Sequence, residues 1–140
     1  MPRRILILTI LLAAFLVAAA AHPALTASHG YQGAWYAKDP IDGSCLHMRI
    51  TQIRRSGERV FSIQEIDSDA SDLCQGMSAQ QGLGVLDDQG LLVTTAIHWC
   101  MPDANEVRYF QSGSLSYDPS ADTITDFGGT IYQRERLLIR

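Results

Sequence analysis

The chain has 140 residues, 46% of them apolar, with 11 basic against 15 acidic side chains and a formal net charge of −4. That balance argues against a polyanion-binding protein, because an acidic surface repels nucleic acid and anionic lipid. The one basic run, "RRSGER" at 54–59, reads as a solvated hairpin turn.

In chain order, "MPRRILILTILLAAFLVAAAAHPA" opens with Arg3 and Arg4, continues apolar from Ile5 to Ala21 and ends in small residues. This pattern predicts a secretory signal peptide over 1–21, with an uncleaved N-terminal anchor as the alternative. No cysteine precedes Cys45, so the segment is not a lipoprotein signal. Cleavage leaves 119 residues with a net charge of about −6, one domain of ordinary size, with no stable membrane insertion expected of it. Residues 22–32 read as a flexible polar tail and 33–140 as a single β domain. His22 would become the new N-terminus, and a terminal histidine facing His29, His47 or His98 is a possible copper site; a polar tail residue is the simpler reading.

Short alternating runs then recur between turn signals, an all-β pattern. They are "GAWYAK" (33–38), "CLHMRITQI" (45–53), "RVFSIQEI" (59–66), "GLGVLD" (82–87), "LLVTTAIHW" (91–99), "EVRYFQ" (106–111), "SLSY" (114–117), "DTITD" (122–126) and "GTIYQRE" (129–135). The expected fold is an antiparallel up-and-down meander of 8 to 9 strands forming a small barrel or barrel-like sheet. Nine is awkward, since an antiparallel up-and-down barrel closes with an even number. "RSGE", "DDQG", "QSG" and "DFGG" are short glycine-bearing turns, whereas "DPIDGS", "DSDASDLCQGMSAQQ", "CMPDAN" and "DPSA" form the other class. If the two classes alternate, the tight turns gather at one end and the long loops at the other.

That parity brings all three cysteines to the long-loop end. Outside the cytosol thiols tend to pair, and Cys74, in the longest loop, is the mobile partner. Cys74–Cys100 is the favoured bridge, with Cys45–Cys74 and Cys45–Cys100 as alternatives and one thiol always left over.

Gly33-Ala34-Trp35 on the first strand, with Arg134 or Arg136 at the end of the last, resembles the calycin group of small barrels, the lipocalins and avidin-like proteins. There the indole packs under an arginine of the last strand. The chain is shorter than a typical lipocalin and lacks its Thr-Asp-Tyr signature and late helix. "DGS" at 42–44 is similar to an avidin-type barrel, but no set of biotin-contacting residues transfers.

Cys45-Leu46-His47 and His98-Trp99-Cys100 place each cysteine on the face of its histidine. Cys45, His47, His98 and Cys100 could hold zinc or copper(I), although exported thiols oxidise more readily than they bind metal. A thiol nucleophile at Cys100 with His98 as base is disfavoured, because side chains two apart on a strand run parallel, about 7 Å apart. "DSDASD" carries Asp67, Asp69 and Asp72 at calcium-loop spacing, but an EF-hand needs Gly and Glu where Asp72 and Ser78 stand. A solvated acidic loop is the alternative.

The functional expectation is a secreted or extracytoplasmic binding protein, without cofactor or recognised catalytic machinery, taking a small-molecule ligand or an extracellular protein at the long-loop end. His47, Arg49, His98 and Trp99 are the candidate ligand-binding residues. Arg49 and Thr51 share the face of His47: facing inward they make a polar pocket, facing outward they leave a core filled by Leu46, Met48 and Ile50. Two alternatives stand beside this: a structural or interaction domain with a filled core, acting through loops or an intermolecular disulfide, and the zinc or copper site.

Overall fold

The computed structural model describes residues 30–53, 59–70, 74, 76–101 and 107–135. Structural statements below concern these residues; the expected signal segment, His22, His29, Asp72 and Arg136 lie outside them. Eight strands follow one another: β1 (Gly33–Lys38), β2 (Cys45–Gln52), β3 (Val60–Asp67), β4 (Ser78–Leu86), β5 (Leu92–Cys100), β6 (Val107–Asp118), β7 (Thr123–Asp126) and β8 (Ile131–Arg134). Each pairs antiparallel with the next, and β8 returns to β1 through Trp35↔Arg134 and Tyr36↔Gln133, closing a barrel.

The count of eight corrects the run-by-run reading of nine. "EVRYFQ" and "SLSY" are halves of one 12-residue strand, because "QSG" is not a turn. A Cβ on Gly113 would lie 2.5 Å from the Phe127 ring, so this glycine serves a close approach inside a strand. The merger makes the number even, which is what closure requires. It also exchanges two connections: "DPSA" joins "DDQG" at one end of the barrel, and "DFGG" lies at the end that carries the cysteines. Likewise β4 begins at Ser78 rather than at 82, so the last residues of the expected loop are strand.

At the end where β1 starts, the interior is packed solid. Trp35, Tyr31, Phe61, Ile50, Leu92 and Ile124 are fully buried there, and burying each such side chain contributes roughly 1.5–3 kcal/mol. Tyr31 belongs to the expected tail, yet it plugs the barrel. Its hydroxyl lies 2.8 Å from the carbonyl oxygens of both Gly90 and Leu115, and its ring tilts against Phe61 and Tyr117.

Arg134 fastens this plugged end. Its guanidinium stacks over the Trp35 ring at 4.1 Å and donates to the carbonyls of Gln32 and Gly30, both at 2.7 Å, and to the Asp122 carboxylate. Trp35 Nε1 donates in turn to the Tyr31 carbonyl at 2.9 Å. Glycine is required at Gly33, where φ is +149° and a Cβ would lie 2.5 Å from Arg134 Nη1.

The opposite end is held covalently. Cys74 and Cys100 form a disulfide with Cα atoms 5.1 Å apart, tying the β3–β4 loop to the end of β5. Cys45 is the free thiol.

Candidate functional site

Between the plug and the disulfide end the barrel holds a cavity of about 370 Å³ that is partly open to solvent, within the size range of small-ligand sites. Its position follows from what each strand turns inward. β2 supplies Leu46, Met48 and Ile50, and β3 continues with Phe61 and Ile63, but the next two inward positions of β3 are Glu65 and Asp67. From there the interior becomes polar.

Register aligns the key groups in one row around the wall: Glu65 faces Gln80 across β3–β4, Gln80 faces His98 across β4–β5, and His98 faces Tyr109 across β5–β6. A bulge lies beside the last pair, where Trp99 is opposite Val107 and Arg108 is the extra residue. Such bulges re-aim side chains; here Tyr109 comes against His98, with ring centroids 4.9 Å apart. Asp126, Thr130 and Tyr132 complete the polar lining from β7 and β8.

Glu65 is the centre of the network. Gln80 Nε2 donates to its Oε1 at 2.6 Å and the Tyr132 hydroxyl to its Oε2 at 3.0 Å. Burial raises its pKa, those two donors oppose the rise, and the charges of Asp126 and Asp67 add to it. Burial also drives the Tyr132 hydroxyl far above its ordinary range, with the charges of Glu65 and Asp126 reinforcing the effect. Tyr109 is raised by burial and then by Glu65.

His98 behaves in the opposite sense. Burial lowers its pKa, partly offset by Asp67, so the ring is held neutral and offers one acceptor and one donor nitrogen. It is 9% exposed, and neither nitrogen has a hydrogen-bond partner among the described residues. A buried polar ring left unsatisfied is uncommon, because leaving such a group unpaired costs about 1–3 kcal/mol. Chemically, the row can accept and donate hydrogen bonds, and its one neutral base can accept a proton.

The four expected ligand-binding residues separate. His98 faces the cavity, whereas Trp99, next along β5, turns outward and is half-buried. His47 and Arg49 lie on the exposed outer face of β2, where His47 Nδ1 meets Glu135 Oε1 at 2.8 Å and its ring lies against Tyr36. With that face outward, Leu46, Met48 and Ile50 do fill the core beneath β2, but only part of the barrel is filled.

The four possible metal ligands divide as well. Cys45 and His47 occupy the outer face, His98 the inner, and the sulfur of Cys100 is bonded to Cys74. Among the described residues, no three His, Cys, Asp or Glu side chains converge on a point that a metal ion could occupy. Asp67 Oδ1 accepts from the backbone of Asp69, an Asx turn within the acidic loop.

Glu65, Gln80, Tyr109, Asp126 and Tyr132 escaped the reading of the sequence. One signal was available: in "VFSIQEID", alternation puts Glu65 and Asp67 on the same face as Phe61 and Ile63. A carboxylate in step with core residues marks a polar interior. Compared with known families, curated proteins and solved structures, the chain finds no match.

Proposed function

We propose that this protein is an exported binding protein whose barrel receives one small polar organic molecule in the cavity beside the disulfide. The observation that carries this reading is the row Glu65–Gln80–His98–Tyr109, four hydrogen-bonding side chains lining one cavity next to apolar walls from Leu46, Met48 and Ile63. Convergent polar groups in an otherwise apolar concavity are the ordinary make-up of a ligand site. Export is supported by the N-terminal segment and by the disulfide, a bond that persists in oxidising compartments. Kinship with calycin-type barrels belongs to the same proposal and rests on Trp35 lying under Arg134, with Gly33 before it.

The test is a thermal-shift screen of small polar metabolites against the purified, disulfide-intact protein, repeated with His98→Phe, which keeps a ring of similar size in the wall but forms no hydrogen bond. Compounds that raise the Tm of the wild type and leave the variant unchanged support the reading. Equal shifts in both proteins, or none in either, overturn it.

A further inference from the structure

The charge of the cavity narrows its ligand further, an inference that rests on the reading of the cavity as a ligand site. Asp39, Glu65, Asp67 and Asp126 line it, while no lysine or arginine among the residues whose side chains are described does. Such a field disfavours an anion, since like charges in a low-dielectric setting repel strongly. A neutral guest would leave the field uncompensated.

The second observation is independent of the acidic groups. His98 is nine-tenths buried, faces the cavity and has neither ring nitrogen paired among the described residues. Held neutral by burial, it carries an acceptor nitrogen that no donor among the described residues meets. Two donors of the lining, Gln80 Nε2 and the Tyr132 hydroxyl, are committed to Glu65. What the site lacks is therefore a donor that is also positively charged.

A metal ion does not meet this description, because no three ligating groups converge among the described residues. The positive charge has to sit on a larger body. The rest of the lining says what that body is: Leu46, Met48, Ile63 and Leu115 offer hydrocarbon contact, and Tyr109 and Tyr132 offer ring faces that attract cations.

We propose that the cavity selects a small organic amine in its ammonium form, one N–H meeting the acceptor nitrogen of His98 and its charge offset at longer range by the carboxylates of the lining, Glu65 and Asp126 among them, its hydrocarbon part against Met48, Ile63 and Leu115. Hydrogen bonds from an ionised donor are about twice as strong as neutral ones, so the charged form outcompetes its alcohol counterpart.

The experiment is isothermal titration at pH 7.5 with three skeletons, butyl, cyclohexyl and 2-phenylethyl, each as the primary amine, the alcohol and the carboxylate. The expected result is that, on every skeleton that binds, the amine binds at least tenfold more tightly than the alcohol and the carboxylate most weakly. In Glu65→Gln and, separately, Asp126→Asn, that margin falls to threefold or less, with far-UV circular dichroism reporting that each variant is folded. An alcohol or carboxylate binding as tightly as its amine overturns the charge assignment and leaves the cavity a ligand site. So does a margin unchanged in both folded variants. No binding by any of the nine compounds overturns the cavity reading together with this one.

Discussion

At one end of the barrel Trp35, Tyr31 and Phe61 meet in a packed aromatic cluster; at the other, His98, Glu65 and Tyr109 border a cavity. The same eight strands build both, so the difference lies in which residues alternate inward. Toward the plug these are large and apolar, and the partly buried guanidinium of Arg134 is stacked on Trp35 and hydrogen-bonded to Asp122, Gln32 and Gly30. Toward the cavity they are polar and imperfectly satisfied, and a disulfide holds the frame in place of packing. Stability and recognition are therefore segregated along the barrel axis, which lets each be perturbed separately.

The largest effect is expected at the plug. Trp35→Ala removes the ring under Arg134 and should cost about 3–5 kcal/mol, a large part of the total stability of a domain this size. Urea denaturation measures it, and a loss under 1 kcal/mol would break the contrast between the ends. Next, the double substitution Cys74→Ser with Cys100→Ser should cost about 3 kcal/mol, from the loop-closure entropy of the 26-residue separation. The same shift in midpoint should follow when the wild type is reduced, and an unchanged midpoint would mean that the cavity end is held by packing after all. Gly33→Ala, which forces a side chain into Arg134 at a left-handed φ, should cost about 1–3 kcal/mol and leave ligand binding intact.

The smallest effect has the opposite sign. Because the folded pKa of Glu65 is raised, its contribution is fully present below the ordinary carboxyl range and is lost as pH rises through the raised value. Glu65→Gln, neutral at every pH, should thus gain Tm relative to the wild type at pH 8 and much less at pH 4. The groups around it are Asp67 on its own strand, Gln80 on β4, and Asp126 and Tyr132 from β7 and β8. His98, whose pKa burial lowers, works in the other direction: its contribution is present above the unfolded value and is lost as pH falls through the lowered one. The charge acting on His98 is that of Asp67 rather than Glu65, so its contribution is common to variant and wild type. A Tm difference that shrinks with rising pH would remove Glu65 as a buried, strained carboxylate.

Much of this architecture was legible from alternation and turn residues: the all-β class, most strand positions and the Cys74–Cys100 bridge. Two things were not. Gly113 looks like a turn residue in one dimension, and only the Phe127 ring lying across it shows that it belongs inside a strand. On β5, the outward set Val93, Ile97 and Trp99 is more apolar than the inward set Thr94, Ala96 and His98. Hydrophobicity alone therefore points the strand the wrong way. Register decides it, since Gly82 and Gly84 of β4 are the positions against which Ala96 and Leu92 fit, and a Cβ on Gly82 would strike the backbone of Thr95. The cavity was hidden because its polar residues come from six strands and no two of them are neighbours in sequence.

The latch at Arg134 also sets an order of events. It joins the last strand to Gly30 across 104 residues, so β1 has only one of its two neighbours and Trp35 no cation above it until β8 is present. Contacts of such sequence separation form slowly, because the chain must lose its loop entropy before they return any free energy. Closure is thus a late, cooperative step that no fragment lacking β8 can rehearse, and a chain still emerging during synthesis stays open at β1 until β8 has been made.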